Sequence, residues 1–159
     1  MGLAAAALAF GALVLGVCGL RVSRAELQTE SSAGLAQQVT VFAIIATPGS
    51  KAIDSKLVSI KAQLNRLLPQ HGFKLLDAQS KRIETGESVT CDLGNGYTAE
   101  TSLVRPVDEN GKVELRCELV RNRSRQFATQ VKAPLNQLFF CERPFLDDGS
   151  KLLIGVGAR

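Results

Sequence analysis

The chain has no tryptophan, one tyrosine (Tyr97), one histidine (His71) and four cysteines in 159 residues. A single histidine excludes a histidine-rich metal centre and leaves His71 as the sole imidazole for any nucleophile–histidine pair. Its place just beyond an expected helix C-terminus already accounts for it, since the helix dipole favours an imidazolium there. No two cysteines stand in Cys-x-x-Cys spacing, so neither a zinc site nor a thioredoxin-type pair is encoded. A phosphate-cradling glycine loop is missing too: Gly94-Asn95-Gly96 leads into an alternating strand pattern, not a helix. Carboxylates are plentiful, but no spacing marks a catalytic pair. The expectation is therefore no catalytic residue, no metal and no cofactor.

Charge of one sign is also scarce. The formal net charge is +4, and Arg21 and Arg24 supply the only charged side chains of residues 1–25. Without that segment, 17 basic residues face 15 acidic ones, a balance of +2. That bias is too weak to imply a nucleic-acid partner.

Long hydrophobic runs are absent with one exception. Gly2 to Leu20 are nineteen consecutive uncharged residues rich in Ala and Leu. Ser23-Arg24-Ala25 then offers small residues three and one positions ahead of Glu26, the pattern cut in secretory signal peptides. No Lys or Arg precedes the apolar run and two Arg follow it, which favours the opposite orientation under the positive-inside bias. At about 1.5 Å per residue the run would span roughly 28 Å, just enough for a bilayer. The reading adopted is a signal peptide over 1–25, with an N-terminal membrane anchor as the alternative. Leu15-Gly16-Val17-Cys18 resembles a bacterial lipobox, but Val17 stands where that motif needs a small residue. Residues 26–37 are polar around Ser31-Ser32-Ala33-Gly34 and read as a flexible tether.

The remainder, 38–159, reads as one domain. Val39-Thr40-Val41-Phe42-Ala43-Ile44-Ile45-Ala46 is apolar on both faces and rich in β-branched residues, which predicts a strand buried on both sides. Thr47-Pro48-Gly49-Ser50 breaks it. A helix is expected from Ser55 to Leu68 with Asp54 as N-cap, burying Leu57, Ile60, Leu64, Leu67 and Leu68 in one stripe. Pro69 stops it and Gly72 supplies a turn.

From Phe73 the pattern changes to strands: Phe73–Ile83, then Val89, Cys91 and Leu93, then Tyr97, Ala99, Thr101 and Leu103 after an Asn-Gly turn. Val113, Leu115, Cys117 and Leu119 follow a second Asn-Gly, with Phe127, Thr129 and Val131, then Leu138–Cys141 and Leu152–Val156 beyond. The prediction is an α+β fold. A buried N-terminal strand and one amphipathic helix pack on a mainly antiparallel meander sheet of five to seven strands.

Three features could carry function. Cys91 and Cys117 share the apolar parity of their strands, so they either form a disulfide in an oxidising compartment or serve as small buried hydrophobes; Cys141 is left over. Arg121-Asn122-Arg123-Ser124-Arg125, if extended, puts three guanidinium groups on one side, forks suited to phosphate, sulfate or carboxylate groups; a solvated hairpin tip is the plainer reading. Its Asn122-Arg123-Ser124 is also a glycosylation sequon, meaningful in a eukaryotic secretory route. Phe139, Phe140 and Phe145 concentrate three of the seven phenylalanines, as core or as an exposed docking patch.

The functional expectation is an exported, secreted or periplasmic, non-enzymatic module that binds a protein partner or a cell-envelope component. It would touch the membrane only through residues 2–20 if these are retained. Two alternatives stand beside it. One helix against an antiparallel sheet is similar in architecture to the cystatins, which implies a secreted inhibitor, although the Gln-x-Val-x-Gly hairpin of that family is not found here. The other is an enzyme, thiol-dependent through Cys141 or dependent on carboxylates.

Overall fold

A computed structural model describes residues 35–159. The signal or anchor reading of residues 1–25, and the tether up to residue 34, lie outside the described residues. Among the described residues, no helix is long and apolar enough to cross a membrane.

The first strand, β1 (Gln37–Pro48), is the buried strand expected. Its odd residues Val39, Val41 and Ala43 and its even residues Ile44 and Ala46 are all fully buried, on opposite faces. Next come a 3₁₀ helix (Ser55–Ile60) and α1 (Lys61–Leu67), then β2 (His71–Ile83), β3 (Ser88–Gly94) and β4 (Tyr97–Arg105). β5 (Lys112–Arg121), β6 (Ser124–Pro134), β7 (Phe139–Pro144) and β8 (Lys151–Ala158) complete the domain.

These eight strands form two four-stranded antiparallel sheets, ordered β2-β1-β8-β7 and β3-β4-β5-β6, not the single sheet of five to seven strands expected. The cause lies in the apolar faces. β3, β4 and β5 each carry one buried row, and that row needs a cover the short helical segment cannot provide. β1 and β8 have apolar residues on both faces, so one face takes the helix and the other takes the second sheet. The result is three layers, helix on sheet on sheet.

The larger core lies between the sheets and includes Val41, Val156, Leu103 and Leu115. The smaller one lies under the helix and includes Ile44, Leu57, Leu64, Phe73 and Leu153. β2 bulges at Leu76, where the register with β1 shifts between Ala43 and Ile44. Beside that bulge, Asp77 Oδ2 accepts from Asp92 N at 3.0 Å and ties the edge of the first sheet to β3.

The helical segment departs from expectation in two ways. Its first half is 3₁₀, as suits a stretch whose Val58, Ser59 and Ile60 are weak α-formers. Leu67 is 45% exposed, because three residues on from Leu64 it falls to the flank of a stripe centred on Leu64 and Leu68. Asp54 caps as expected, its carboxylate accepting from Lys56 N at 3.0 Å. The turn after Pro69 is made by Gln70 at φ 68, not by Gly72, which lies in β2. Gly72 is needed for close approach: a Cβ there would sit 2.8 Å from Ala52 O, which is fixed by accepting from Phe73 N at 2.8 Å.

Ile44→Ala should destabilise the fold by about 2–5 kcal/mol in chemical denaturation, the range for truncating a fully buried Ile. Val58→Ala, at a side chain 63% exposed on the helix, should stay within about 0.5 kcal/mol of wild type.

Candidate functional site

The sandwich has two ends, and at one of them two arginines lie against aromatic rings. Two hairpin tips lie there. Asn95 and Gly96, at φ 53 and 76, turn β3 into β4 and so deliver Tyr97 to the start of its strand. Asn122 and Arg123, at φ 48 and 67, form the two-residue turn between Arg121 and Ser124. Both central residues being left-handed makes this a type I′ turn, in which glycine is the favoured second residue. An arginine there costs backbone energy and places a guanidinium at the tip. The tips interlock, with Asn122 N donating to Gly96 O at 2.9 Å.

The arginines of this hairpin do not share one side. A bulge between β5 and β6 pairs Val120 with Arg125 but Leu119 with Phe127, leaving Gln126 extra. Arg125 is thereby turned to the outer face, where its Nε meets Glu118 at 3.1 Å beside an Arg116–Glu118 pair at 2.6 Å. Arg121 stays on the inner side, its guanidinium 4.9 Å from the Tyr97 ring centroid.

From the other sheet, β7 contributes Arg143, which lies 3.9 Å from the Phe127 ring centroid. Just beyond β7, Phe145 meets Tyr97 edge to face at 5.5 Å and 62°. Phe145 N donating to Ser150 O holds that segment in place. Tyr97, Phe127, Arg143, Pro144 and Phe145, with Leu119 at the base and Gln126 at the rim, enclose a cleft of about 390 Å³. No carboxylate among the described residues lines it. Among the described residues, Arg121, Arg123 and Arg143 take part in no ion pair, whereas Arg105, Arg116, Arg125 and Lys151 each face a glutamate.

Of the residues singled out from sequence, Arg121 and Phe145 both pack on Tyr97 here, and Arg123 stands in the adjoining turn. Arg125 is drawn away to Glu118. Phe139 and Phe140 lie at the opposite end of β7: Phe139 is 47% exposed, and Phe140 packs over Gly155 on the helix side. Tyr97, Phe127 and Arg143 were not anticipated. Tyr97 and Phe127 have inward parity and read as core; only their closeness to Asn-Gly and arginine-rich turns placed them at an end of a strand.

A second hollow of about 440 Å³ lies on the outer face of the first sheet beyond the helix, floored by Gln38, Thr40, Phe42 and Ser80. Three of its polar side chains bond one another, Ser80 Oγ bonding both Gln38 Nε2 and Thr40 Oγ1 at 2.8 Å. It is the larger of the two, yet it holds one charged side chain, Arg159.

The cysteines lie in the interior, and the Cys91–Cys117 disulfide is not formed: both are free thiols, as is Cys141. Cys91 is on β3 and Cys117 on β5 with β4 between them. Two strand spacings put them about 10 Å apart, beyond the roughly 7 Å a disulfide tolerates. Cys91 instead donates to Val41 O at 3.6 Å, and burial with the nearby Asp77 charge pushes its pKa to about 11, against a weaker opposing bond from the Gln79 amide. Cys117 meets Cys141 of the other sheet, and Thr101 Oγ1 donates to its sulfur at 3.9 Å. The contact with Cys141 and burial raise the Cys117 thiol. Cys141 is held lower by the Cys117 S–H, with Arg143 assisting against the cost of burial. His71 is engaged elsewhere, its Nδ1 3.1 Å from Pro69 O. Among the described residues, no group of three or more His, Cys, Asp or Glu side chains could hold a metal ion.

Comparisons with protein-family models, with curated proteins and with solved structures find no match to this chain.

After denaturation without reductant, Cys91, Cys117 and Cys141 should all alkylate. In the native protein Cys141, 9% exposed, should react first, and Cys91 and Cys117, at 0% and 1%, at least tenfold more slowly. Peptide mass spectrometry reads both results, and a Cys91–Cys117 peptide resistant to alkylation would contradict the free-thiol arrangement.

Proposed function

We propose that the protein is an exported, non-enzymatic binding module that engages a partner, a protein or other envelope component, through the arginine–aromatic end of its sandwich. Export rests on the apolar run from Gly2 to Leu20 and the small residues Ser23 and Ala25 ahead of Glu26. The observation that carries the binding role is the pairing of Arg121 with Tyr97 and Arg143 with Phe127 beside a cleft that, among the described residues, no acid lines. Tyrosine, phenylalanine and arginine are the residue types enriched in protein interfaces, and partly exposed clusters of them supply most binding energy. One arginine–ring pair lies within the second sheet and the other spans the two sheets, so the surface is held by the fold and not by a single loop.

A photo-crosslinking residue at Gln126, on the cleft rim, tests this in cells making the full chain. A discrete adduct is expected, reduced at least tenfold by Arg121→Glu with Arg143→Glu, whereas the same probe at Gln130, further along β6, should give none. An adduct from Gln126 that survives both charge reversals, or adducts from Gln130 alone, would contradict the assignment.

A further inference from the structure

We infer that the segment recognised by this end is an acidic peptide with an apolar residue at its centre. The apolar side chain enters the cleft between Tyr97, Phe127 and Phe145, and flanking carboxylates are taken by Arg121, Arg143 and Arg123. The inference rests on the binding role proposed above and specifies the chemistry of the partner.

Charge complementarity carries it. Four of the seventeen lysines and arginines among the described residues are matched by glutamates, and of the three arginines around the β5–β6 turn only Arg125, on the outer face, is so matched. At this end Arg143 lines the cleft, Arg121 lies against its Tyr97 wall and Arg123 stands in the adjoining turn, and among the described residues none of the three has an acid partner. Concentrated unpaired charge of one sign is repulsive in the free protein and is relieved by a ligand of the other sign.

The geometry of the guanidinium groups narrows the ligand further. Arg121 and Arg143 each hold the guanidinium carbon over an aromatic ring, and among the described residues neither guanidinium makes a hydrogen bond or ion pair, so its N–H groups are left for a ligand. A carboxylate docks on those groups in the guanidinium plane and can accept two parallel hydrogen bonds without displacing the ring. Between them the walls are apolar, and an alternation of charge, apolar group and charge in the ligand matches the alternation of the site.

Polyanions match it less well. Nucleic acid and anionic bilayers are held by long tracks or clusters of cations, and here only three arginines face the ligand. On the adjoining outer face of the second sheet the cations Arg105, Arg116 and Arg125 are already matched by Glu114 and Glu118, so they add no free charge to a track running on past the hairpin.

Selection from a random peptide library displayed on phage, against the full chain as the cell processes it, tests the inference. Enrichment of Asp or Glu on both sides of Leu, Ile, Phe or Met is expected. The synthetic consensus peptide should bind about tenfold more weakly to Arg121→Gln and to Arg143→Gln, and less than twofold more weakly to Arg125→Gln. Its affinity should fall at least fivefold between 50 and 300 mM salt. Enrichment of neutral or basic sequences, an acidic consensus indifferent to Arg121 and Arg143, or binding of anionic vesicles or single-stranded DNA in place of any peptide would overturn it. If the Gln126 crosslink forms and responds to charge reversal while the selection gives no acidic consensus, the partner chemistry is wrong and the binding end stands. If neither is seen, both fail.

Discussion

The structure depends on a single strand that is buried on both faces and hydrogen-bonded on both edges. β1 pairs with β2 on one side and with β8 on the other. Its odd residues face the second sheet and its even residues face the helix. Each fully buried Val or Ile contributes roughly 1.5–3 kcal/mol, so the strand joins two cores that would otherwise have no common wall. Among the described residues no other strand except β8 has this property, and β8 achieves it partly with glycine. Gly155 makes room for the Phe140 ring, whose nearest atom would lie 2.6 Å from an added Cβ.

That constraint explains how the binding end is built. With β1 and β8 central, β7 is forced to an edge of the first sheet, and the route from β6 to β7 must cross between the sheets. β6 and β7 therefore approach one another as edges of different sheets, and Arg143 reaches Phe127 across that gap. Tyr97 and Phe145 meet the same way. The site is a product of sheet stacking, and the β5–β6 turn adds Arg123 to it at the cost of a left-handed arginine. The cysteines belong to the same interior, where Cys117 and Cys141 face each other from the two sheets as thiols.

Local patterns carried much of the fold. The double-sided run Val39–Ala46 marked the central strand, and strict alternation in Val113, Leu115, Cys117 and Leu119 marked a strand with one buried face. Both Asn-Gly pairs were turns. The division into two sheets was less legible, because alternation shows that a face is covered without showing what covers it. The candidate site was legible only in its arginine turn and in Phe145. A two-residue turn and a bulge at Gln126 reset the parity of Arg123 and Arg125, and neither leaves a clear mark in the residues themselves. Tyr97, Phe127 and Arg143 come from three strands in two sheets, so their meeting is a tertiary fact. The disulfide reading of Cys91 and Cys117 failed for a related reason: shared parity does not tell whether two strands are neighbours.

Native-state hydrogen exchange tests the central claim that β1 binds both layers into one cooperative unit. The amides of β1 and β8 should exchange slowest, and β5 and the buried part of β2 should approach the same limiting free energy, equal to that of global unfolding. Retention of slow exchange in β3–β6 after β1 and the helix have opened would contradict the account. The two sheets would then be separately stable, and the cleft between Arg143 and Phe127 would lie at a loose boundary instead of on a rigid frame.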